Sequence, residues 1–333
     1  MLTVDTLVCV EPGRLRVEQR SAPARSADQV LVRPLRVGIC GTDYHIFEGS
    51  HPFLRYPRVM GHELAVEVVE AADGSGLTPG EVCVVNPYLS CGQCNACLGG
   101  KPNCCVQISV LGVHQDGGMT GLLTLPAASL LRAPGLTPDQ CAAVEFLAIG
   151  AHAVRRGAVT GRDRALVVGA GPIGLGVALF ARLSGAEVVL FDRDAARAEV
   201  VASIAAVVAL PEGSAPQETG EGFDVVFDAT GNARSMERGF DFVGHGGRYV
   251  LVSVVNEPIT FRDPDFHRKE ITLLGSRNAT REDFDRVLAA MRDGEVAIER
   301  LITHRTSLAD AIRDIPQWAT EKAGLIKAIV DIG

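Results

Sequence analysis

The segment Ala165-Leu-Val-Val-Gly169-Ala-Gly171-Pro172-Ile173-Gly174 constrains this chain more than any other. An apolar strand runs into G-x-G-x-x-G, and an apolar helical stripe follows at Ile173, Val177, Phe180 and Ala181. In that setting Gly169 permits the tight turn, Gly171 lets the backbone approach a pyrophosphate, and Gly174 lets helix and strand pack closely. The helix N-terminus, opened by Pro172 and Ile173, offers N–H groups and partial positive charge to phosphate. The next strand ends in Val189-Leu-Phe-Asp192, an acid about 20 residues beyond the glycines, where it would bond the adenosine ribose hydroxyls. A carboxylate there repels a 2′-phosphate, which favours NAD over NADP; Arg193, directly after it, softens that preference. A glycine turn in a nucleotide-free α/β fold is the ordinary alternative, and the strand-turn-helix setting weighs against it.

The same alternation continues on both sides of this motif. Strands are expected at 164–168, 188–191, 207–210, 223–228, 248–253 and 271–276, separated by helical segments, as in a parallel sheet covered on both faces. Thr230 and Ser253 join the cofactor-binding candidates of this region. Residues 1–146 read differently, as short β-like runs broken by Gly and Pro: 30–37, 65–70 and 82–86 are examples. Residues 277–333 read as helical again, over 281–292 and 307–322, with Asp283 and Ser307 as helix-start residues.

A length of 333 residues suits two domains at roughly 150 residues each. A net charge of −8, without a dense Lys/Arg stripe, argues against a nucleic-acid partner. No apolar run approaches the ~18 residues of a membrane span, and the N-terminus lacks a basic leader, so a soluble cytoplasmic protein is expected. Nine cysteines in such a chain point to metal or catalysis before disulfides.

Five of those cysteines fall together: Cys91-Gly-Gln-Cys94-Asn-Ala-Cys97, then Cys104-Cys105. Four thiolates from one loop can enclose a tetrahedral zinc with no open position, a structural site. Chemistry alone does not choose between Cys104 and Cys105, and an iron–sulfur cluster is a minor alternative. Upstream, Gly38-Ile-Cys40-Gly-Thr42-Asp-Tyr-His45 and Gly61-His62-Glu63 supply a thiolate, an imidazole and a carboxylate. Glu145, near the domain junction, is a further acid. Each alone is more ordinarily a core cysteine or a satisfied polar group. Beside a dinucleotide fold they form a ligand set for a catalytic zinc, because hydride transfer from an alcohol benefits from a Lewis acid on the oxygen.

Gly61-His62-Glu63, the Cys91/Cys94/Cys97 loop and Gly169–Gly174, in this order, resemble the zinc-containing medium-chain alcohol/polyol dehydrogenases over essentially the whole chain. Ser90–Cys94, Val110–Gly118 and Leu301–His304 are most similar to the sugar-acid branch of L-galactonate/L-gulonate 5-dehydrogenase type. The resemblance implies an α/β protein with a GroES-like β-rich catalytic domain at 1–146 and 277–333, and a six-stranded Rossmann domain at 147–276. It places the fourth structural ligand on Cys105 and assigns Cys40 and His62 to a catalytic zinc, with Glu63 and Glu145 reaching the metal directly or through water. Two zinc ions per chain are therefore expected.

The resemblance also implies the chemistry. A secondary alcohol becomes a ketone reversibly, its proton leaving through Thr42 and His45 and its hydride passing to nicotinamide. Arg197 matches a basic residue beside the adenosine ribose, and Arg277 one at the nicotinamide and substrate mouth. Phe53, Tyr56 and the loop 113–119 are candidate substrate-lining residues. A departure at 202–208, where Leu-Gly-Ala-Asp is usual, bears on packing near adenine. A small polar alcohol is the expected partner, and the assembly a homodimer or homotetramer. Threonine- or sorbitol-type dehydrogenases, a zinc-free reductase and a non-catalytic nucleotide-binding relative are the competing readings; the retained Cys40, Thr42, His45, His62, Glu63 and Glu145 and the full cysteine loop weigh against the last two.

Overall fold

The computed structural model describes residues 2–50, 54–210, 221–296, 298–321 and 324–333. They divide into two compact units, Met1–Glu145 with Val287–Gly333, and Phe146–Arg286.

The first unit is built on β-structure. Thr3–Glu11 and Arg14–Ser21 form an antiparallel hairpin whose turn places Gly13 at φ 76°, a left-handed conformation that glycine adopts without strain. A mixed sheet carries Gln29–Ile39 at its middle. Glu63–Glu70, Val82–Val85 and Leu130–Arg132 follow on one side, and Lys327–Asp331 and Ile302–Ser307 on the other. Val30 and Val32 of the middle strand turn inward in alternation and, beyond a register irregularity at 34–36, so does Val37; they share a core with Leu64, Val66 and Val68 of the neighbouring strand. Burying each such side chain contributes about 1.5–3 kcal/mol.

The second unit is a six-stranded parallel sheet. Numbered along the chain its order is 3-2-1-4-5-6, from strands Arg164–Val168, Glu187–Phe191, Val208–Ala209, Phe223–Asp228, Val243–Leu251 and Thr272–Gly275. This is the doubly wound Rossmann arrangement, whose ligand crevice lies at the carboxyl ends of the strands where the order reverses, beside the first and fourth. The Pro172–Leu183, Ala195–Ala205 and Ala233–Phe242 helices provide the crossovers.

The carboxyl-terminal stretch departs from the helical reading. It holds two strands, Ile302–Ser307 and Lys327–Asp331, which pair in parallel and join the first unit's sheet at Gln29–Ile39. Each is short, and only the neighbouring strand gives its backbone a partner, so local periodicity underrates them. Ser307 consequently ends a strand; its hydroxyl exchanges hydrogen bonds with Asp310, and the helix runs over Ala311–Thr320. Lys322, the expected end of that helix, lies outside the described residues. Asp283 is the third residue of the Arg281–Arg292 helix rather than its start, and its carboxylate accepts from the Thr280 amide and hydroxyl, both at 2.8 Å. Among the described residues no helix is long and apolar enough to cross a membrane.

Candidate active site

Cys40 directly follows the middle strand of the first sheet and stands at the N-cap of the Gly41–Glu48 helix. Asp43, fully buried three residues on, accepts from the Cys40 amide with one oxygen (2.9 Å) and from the Gly61 amide with the other (3.3 Å). One carboxylate thus ties the thiol-bearing turn to the segment that presents His62 and Glu63. The loop at 117–119 braces the same segment, with Gly117, Gly118 and Met119 amides donating to the carbonyls of Val59, Gly61 and Met60.

This framework gathers Cys40, His62 and Glu63, whose ligand atoms lie within 4.8 Å of one another. His62 is 4% exposed and Glu63 fully buried. Burial by itself lowers the His62 pKa, but the hydrogen bond with Cys40 and the charges of Asp43, Cys40 and Glu145 outweigh it and raise it well above the usual imidazole value. His62 Nδ1, Glu63 Oε1 and Glu145 Oε2 are buried with no hydrogen-bond partner among the described residues. Buried polar atoms left in that state are costly unless a ligand completes them. A thiolate, an imidazole and a carboxylate with unspent donor atoms fit a divalent zinc with an exchangeable position.

Glu145 lies outside that three-residue set. It occupies the first turn of the Val144–Arg156 helix, buried, with Tyr88 donating its phenol hydrogen to Oε1. Burial pushes its pKa up to about 7; His62, Tyr88 and Lys327 pull downward and Glu63 adds to the rise. Lys327 is 2% exposed, donates to the Ile39 carbonyl at 3.0 Å and forms an ion pair with Glu63 Oε2. Asp43, Tyr88 and Lys327 were assigned no role from sequence. The C-x-x-D spacing of a capping box would have flagged Asp43, and a lone lysine in the apolar run Ile326–Val330 would have flagged Lys327.

Thr42 is half-buried, and the Cys40 thiol points to its hydroxyl at 3.8 Å. His45 is exposed on the same helix, its Nδ1 3.1 Å from Ser50 Oγ and 3.7 Å from Glu48. Tyr56 donates to the Ile46 carbonyl, and Val113 and Met119 sit in the first unit's core. Phe53 lies outside the described residues.

Cys91, Cys94, Cys97 and Cys105 form a second set with sulfur atoms within 4.8 Å. Cys104 is exposed and outside it. Amides of Cys91 and Gln107 donate to Cys105 Sγ, each at 3.3 Å. Backbone hydrogen bonds from Cys97 and Val106 hold the Cys94 thiol down at about 6, while desolvation carries Cys97 up to about 11. Four converging thiols, two of them amide-supported, fit a closed tetrahedral zinc.

In the second unit Gly169 has φ 103° and turns the chain out of the first strand. A Cβ at Gly174 would lie 1.8 Å from the Gly169 carbonyl oxygen, so the position admits no side chain. At Gly171 it would meet nothing within 4 Å, leaving open space before the N-terminus of the Pro172–Leu183 helix. Pro172 and Ile173 form that first turn, half-buried. Asp192 stands at the end of the second strand; its Oδ2 accepts from the Ala170 amide at 2.7 Å, which sets the carboxylate against the glycine turn. This cradle fits a dinucleotide pyrophosphate and ribose. Arg193 is exposed and Arg197 half-buried on the following helix. Thr230 is held at the end of the fourth strand by Asp228, Ser253 follows the fifth, and Arg277 is exposed just after the sixth.

Two family models match the chain: the alcohol dehydrogenase GroES-like domain at residues 26–135 and the zinc-binding dehydrogenase at 172–293. L-galactonate-5-dehydrogenase of Escherichia coli K12 is 40% identical, over 99% of both chains. Among solved structures, the alcohol dehydrogenase RspB of E. coli CFT073, complexed with NADH, superposes at TM-score 0.92 with 27% identity over 99% of each chain. A zinc-binding dehydrogenase of Sinorhizobium meliloti 1021, bound to NADP, superposes at 0.92 with 28% identity over 100% of each. With a zinc-ligand set in a GroES-like unit, a glycine cradle in a Rossmann unit and likeness along its whole length, the chain belongs to the zinc-containing medium-chain alcohol dehydrogenase family.

Proposed function

We propose that the enzyme oxidises a secondary hydroxyl of a sugar acid or polyol to a ketone, reversibly, with NAD as hydride acceptor. The observation that carries this reading is the convergence of Cys40, His62 and Glu63, within 4.8 Å and with orphaned polar atoms, in a chain 40% identical to L-galactonate-5-dehydrogenase. Cys40, His62 and Glu63 would hold a catalytic zinc, with Glu145 beside them, and Cys91, Cys94, Cys97 and Cys105 a structural one, two per chain. Bound there, zinc supplies a Lewis acid that favours loss of the hydroxyl proton.

The chain's own residues do the rest. Thr42 takes the proton at Oγ1, and His45, three residues on and exposed, hands it to solvent. Gly169–Gly174 and the helix N-terminus hold the pyrophosphate, with Thr230 and Ser253 nearby at the strand ends; Asp192 holds the ribose hydroxyls and selects NAD, with Arg193 and Arg197 alongside. Per turnover the alcohol carbon loses hydride to NAD⁺ and its oxygen loses one proton, giving ketone, NADH and H⁺. Arg277 binds the carboxylate or several hydroxyls of the substrate, the task its guanidinium fork suits. A cytoplasmic location and a homodimeric or homotetrameric assembly complete the reading, both resting on the family resemblance.

The test is turnover by the zinc-loaded enzyme with NAD over a panel of sugar acids, polyols, threonine and simple alcohols. Sugar acids or polyols should give the highest kcat/KM, and Arg277→Ala should lower kcat/KM for the acid while NAD affinity holds. Threonine or ethanol outperforming every sugar acid and polyol would overturn the substrate class.

A further inference from the structure

We propose that Tyr88 is a positioning residue: it pins Glu145 by one carboxylate oxygen, so that Glu145 meets the Cys40, His62 and Glu63 site with a single arm. The inference rests on the metal reading above and concerns residues to which that reading gives no such role.

The two partners are anchored on separate elements. Tyr88 lies in the short strand Tyr88–Leu89, paired with Ser109–Val110, and its amide donates to Asn86 Oδ1 at 3.1 Å. Glu145 is fixed in the first turn of the Val144–Arg156 helix, 1% exposed. The phenol donates to Oε1, whereas Oε2 is buried with no hydrogen-bond partner among the described residues. A carboxylate kept for packing or stability alone would have both oxygens satisfied, since a buried unpaired oxygen costs free energy. Here one is spent and its twin is held open, beside the charges of His62, Glu63 and Lys327.

The consequence is mechanical. An untethered carboxylate on a helix can swing and close on a metal with both oxygens, filling the position an alcohol needs. With Oε1 held by Tyr88, only Oε2 is available, to a metal or to its water. Tyr88 therefore keeps a coordination position open without touching metal or substrate.

The test uses full-length chain loaded with zinc, or with cobalt(II) as a spectroscopic replacement, comparing wild type with Tyr88→Phe, Glu145→Gln and the double variant. Tyr88→Phe should release metal from the Cys40 site to a chelator more slowly than wild type, because Glu145 closes onto it. The visible bands of the cobalt form should weaken as coordination number rises. kcat for whichever alcohol the enzyme oxidises should fall about tenfold, the lower end of the effect of losing a partner of a metal-site group, with a smaller change in KM. In the Glu145→Gln background, Tyr88→Phe should change neither release nor spectrum. A merely structural tyrosine would speed metal loss, so faster release overturns the proposal, as do unchanged release and spectrum, or equal effects in both backgrounds. Should Tyr88→Phe fail to fold, Tyr88→Leu removes the same phenol donor and leaves Glu145 at full length; it should reproduce the spectral change, and an unchanged spectrum overturns the proposal. Failure of every sugar acid as substrate leaves these readouts intact and removes only the substrate class. Metal uptake at the four-cysteine cluster alone overturns the catalytic-metal reading and this proposal together.

Discussion

Lys327 and Glu63 form a buried ion pair across a strand that belongs to neither. Glu63 opens one neighbour of Gln29–Ile39 and Lys327 opens the other, and Gly38 lies opposite Glu63 in the register. A Cβ at Gly38 would stand 2.0 Å from Glu63 Oε2, so the glycine leaves the space in which the carboxylate crosses to the lysine. Lys327→Met would strand a buried carboxylate, a change that costs about 3–5 kcal/mol. The expected outcome in zinc-free protein is a marked fall in the urea midpoint, with much of it restored by adding Glu63→Gln. In zinc-loaded protein the fall should be smaller, because a cation held by Glu63 takes over as counter-charge. Equal losses in the two states would remove Glu63 from the metal site.

The four-cysteine cluster and the Cys40 site should respond differently to loss of one thiol. A closed structural site ties on the order of 10 kcal/mol of metal binding to folding. Cys94→Ser should therefore lower zinc content by one and reduce Tm sharply. Cys104→Ser should leave both unchanged, since Cys104 is exposed and outside the cluster. Cys40→Ser should abolish turnover with the Tm of the four-cysteine unit largely kept. Metal analysis beside thermal unfolding checks all three; like destabilisation by Cys94→Ser and Cys40→Ser would merge the two roles.

What could be read in advance depended on sequence distance. The glycine turn, Asp192 and the Cys91–Cys105 loop are specified by neighbours within one strand-turn-helix or one loop, so local spacing carries their chemistry, except for the choice of Cys105 over Cys104, which rests on the family resemblance. The supports of the site are assembled from far apart. Tyr88 acquires a role only where the Val144–Arg156 helix brings Glu145 to it, and Lys327 only where the last strand enters the first sheet. The same last strand, with Ile302–Ser307, lies in a stretch whose local pattern suggests helix, because its hydrogen-bond partners lie elsewhere in the chain. Asp43 was within reach, since its bond to Cys40 is local; its second bond, to Gly61, is the one that needs the fold.

On the proposed reading, Asp192 selects between the two nicotinamide cofactors. Its carboxylate is oriented by the Ala170 amide, and on that reading its negative charge repels a 2′-phosphate. Wild type should prefer NAD by kcat/KM. Asp192→Ser should move the NADP-to-NAD ratio at least about tenfold, or roughly 1.4 kcal/mol, with Arg193 and Arg197 available to the phosphate. A wild-type preference for NADP would sink the assignment.

The last prediction concerns acid stability of the second unit. Asp283, 1% exposed, accepts from His152 at 2.8 Å, from Arg155 Nε at 2.8 Å and from the Thr280 amide and hydroxyl. Burial alone would raise its pKa, but the hydrogen bonds from His152, Arg155 and Thr280 and the nearby positive charge outweigh it and hold the carboxyl far below the usual range. The sign of the linkage follows. A carboxylate whose folded pKa is depressed contributes stability that is fully present above its unfolded pKa, about 3.9. That contribution is lost progressively as pH falls toward the folded value. At neutral pH, Asp283→Asn breaks a buried charge network and should cost about 3 kcal/mol. Urea unfolding of wild type and variant from neutral pH down to about 3 should therefore show two curves that run apart above pH 5 and converge as the medium becomes acidic. Curves that stay parallel throughout would mean that the Asp283 charge contributes nothing to the fold and that the variant acts through packing alone.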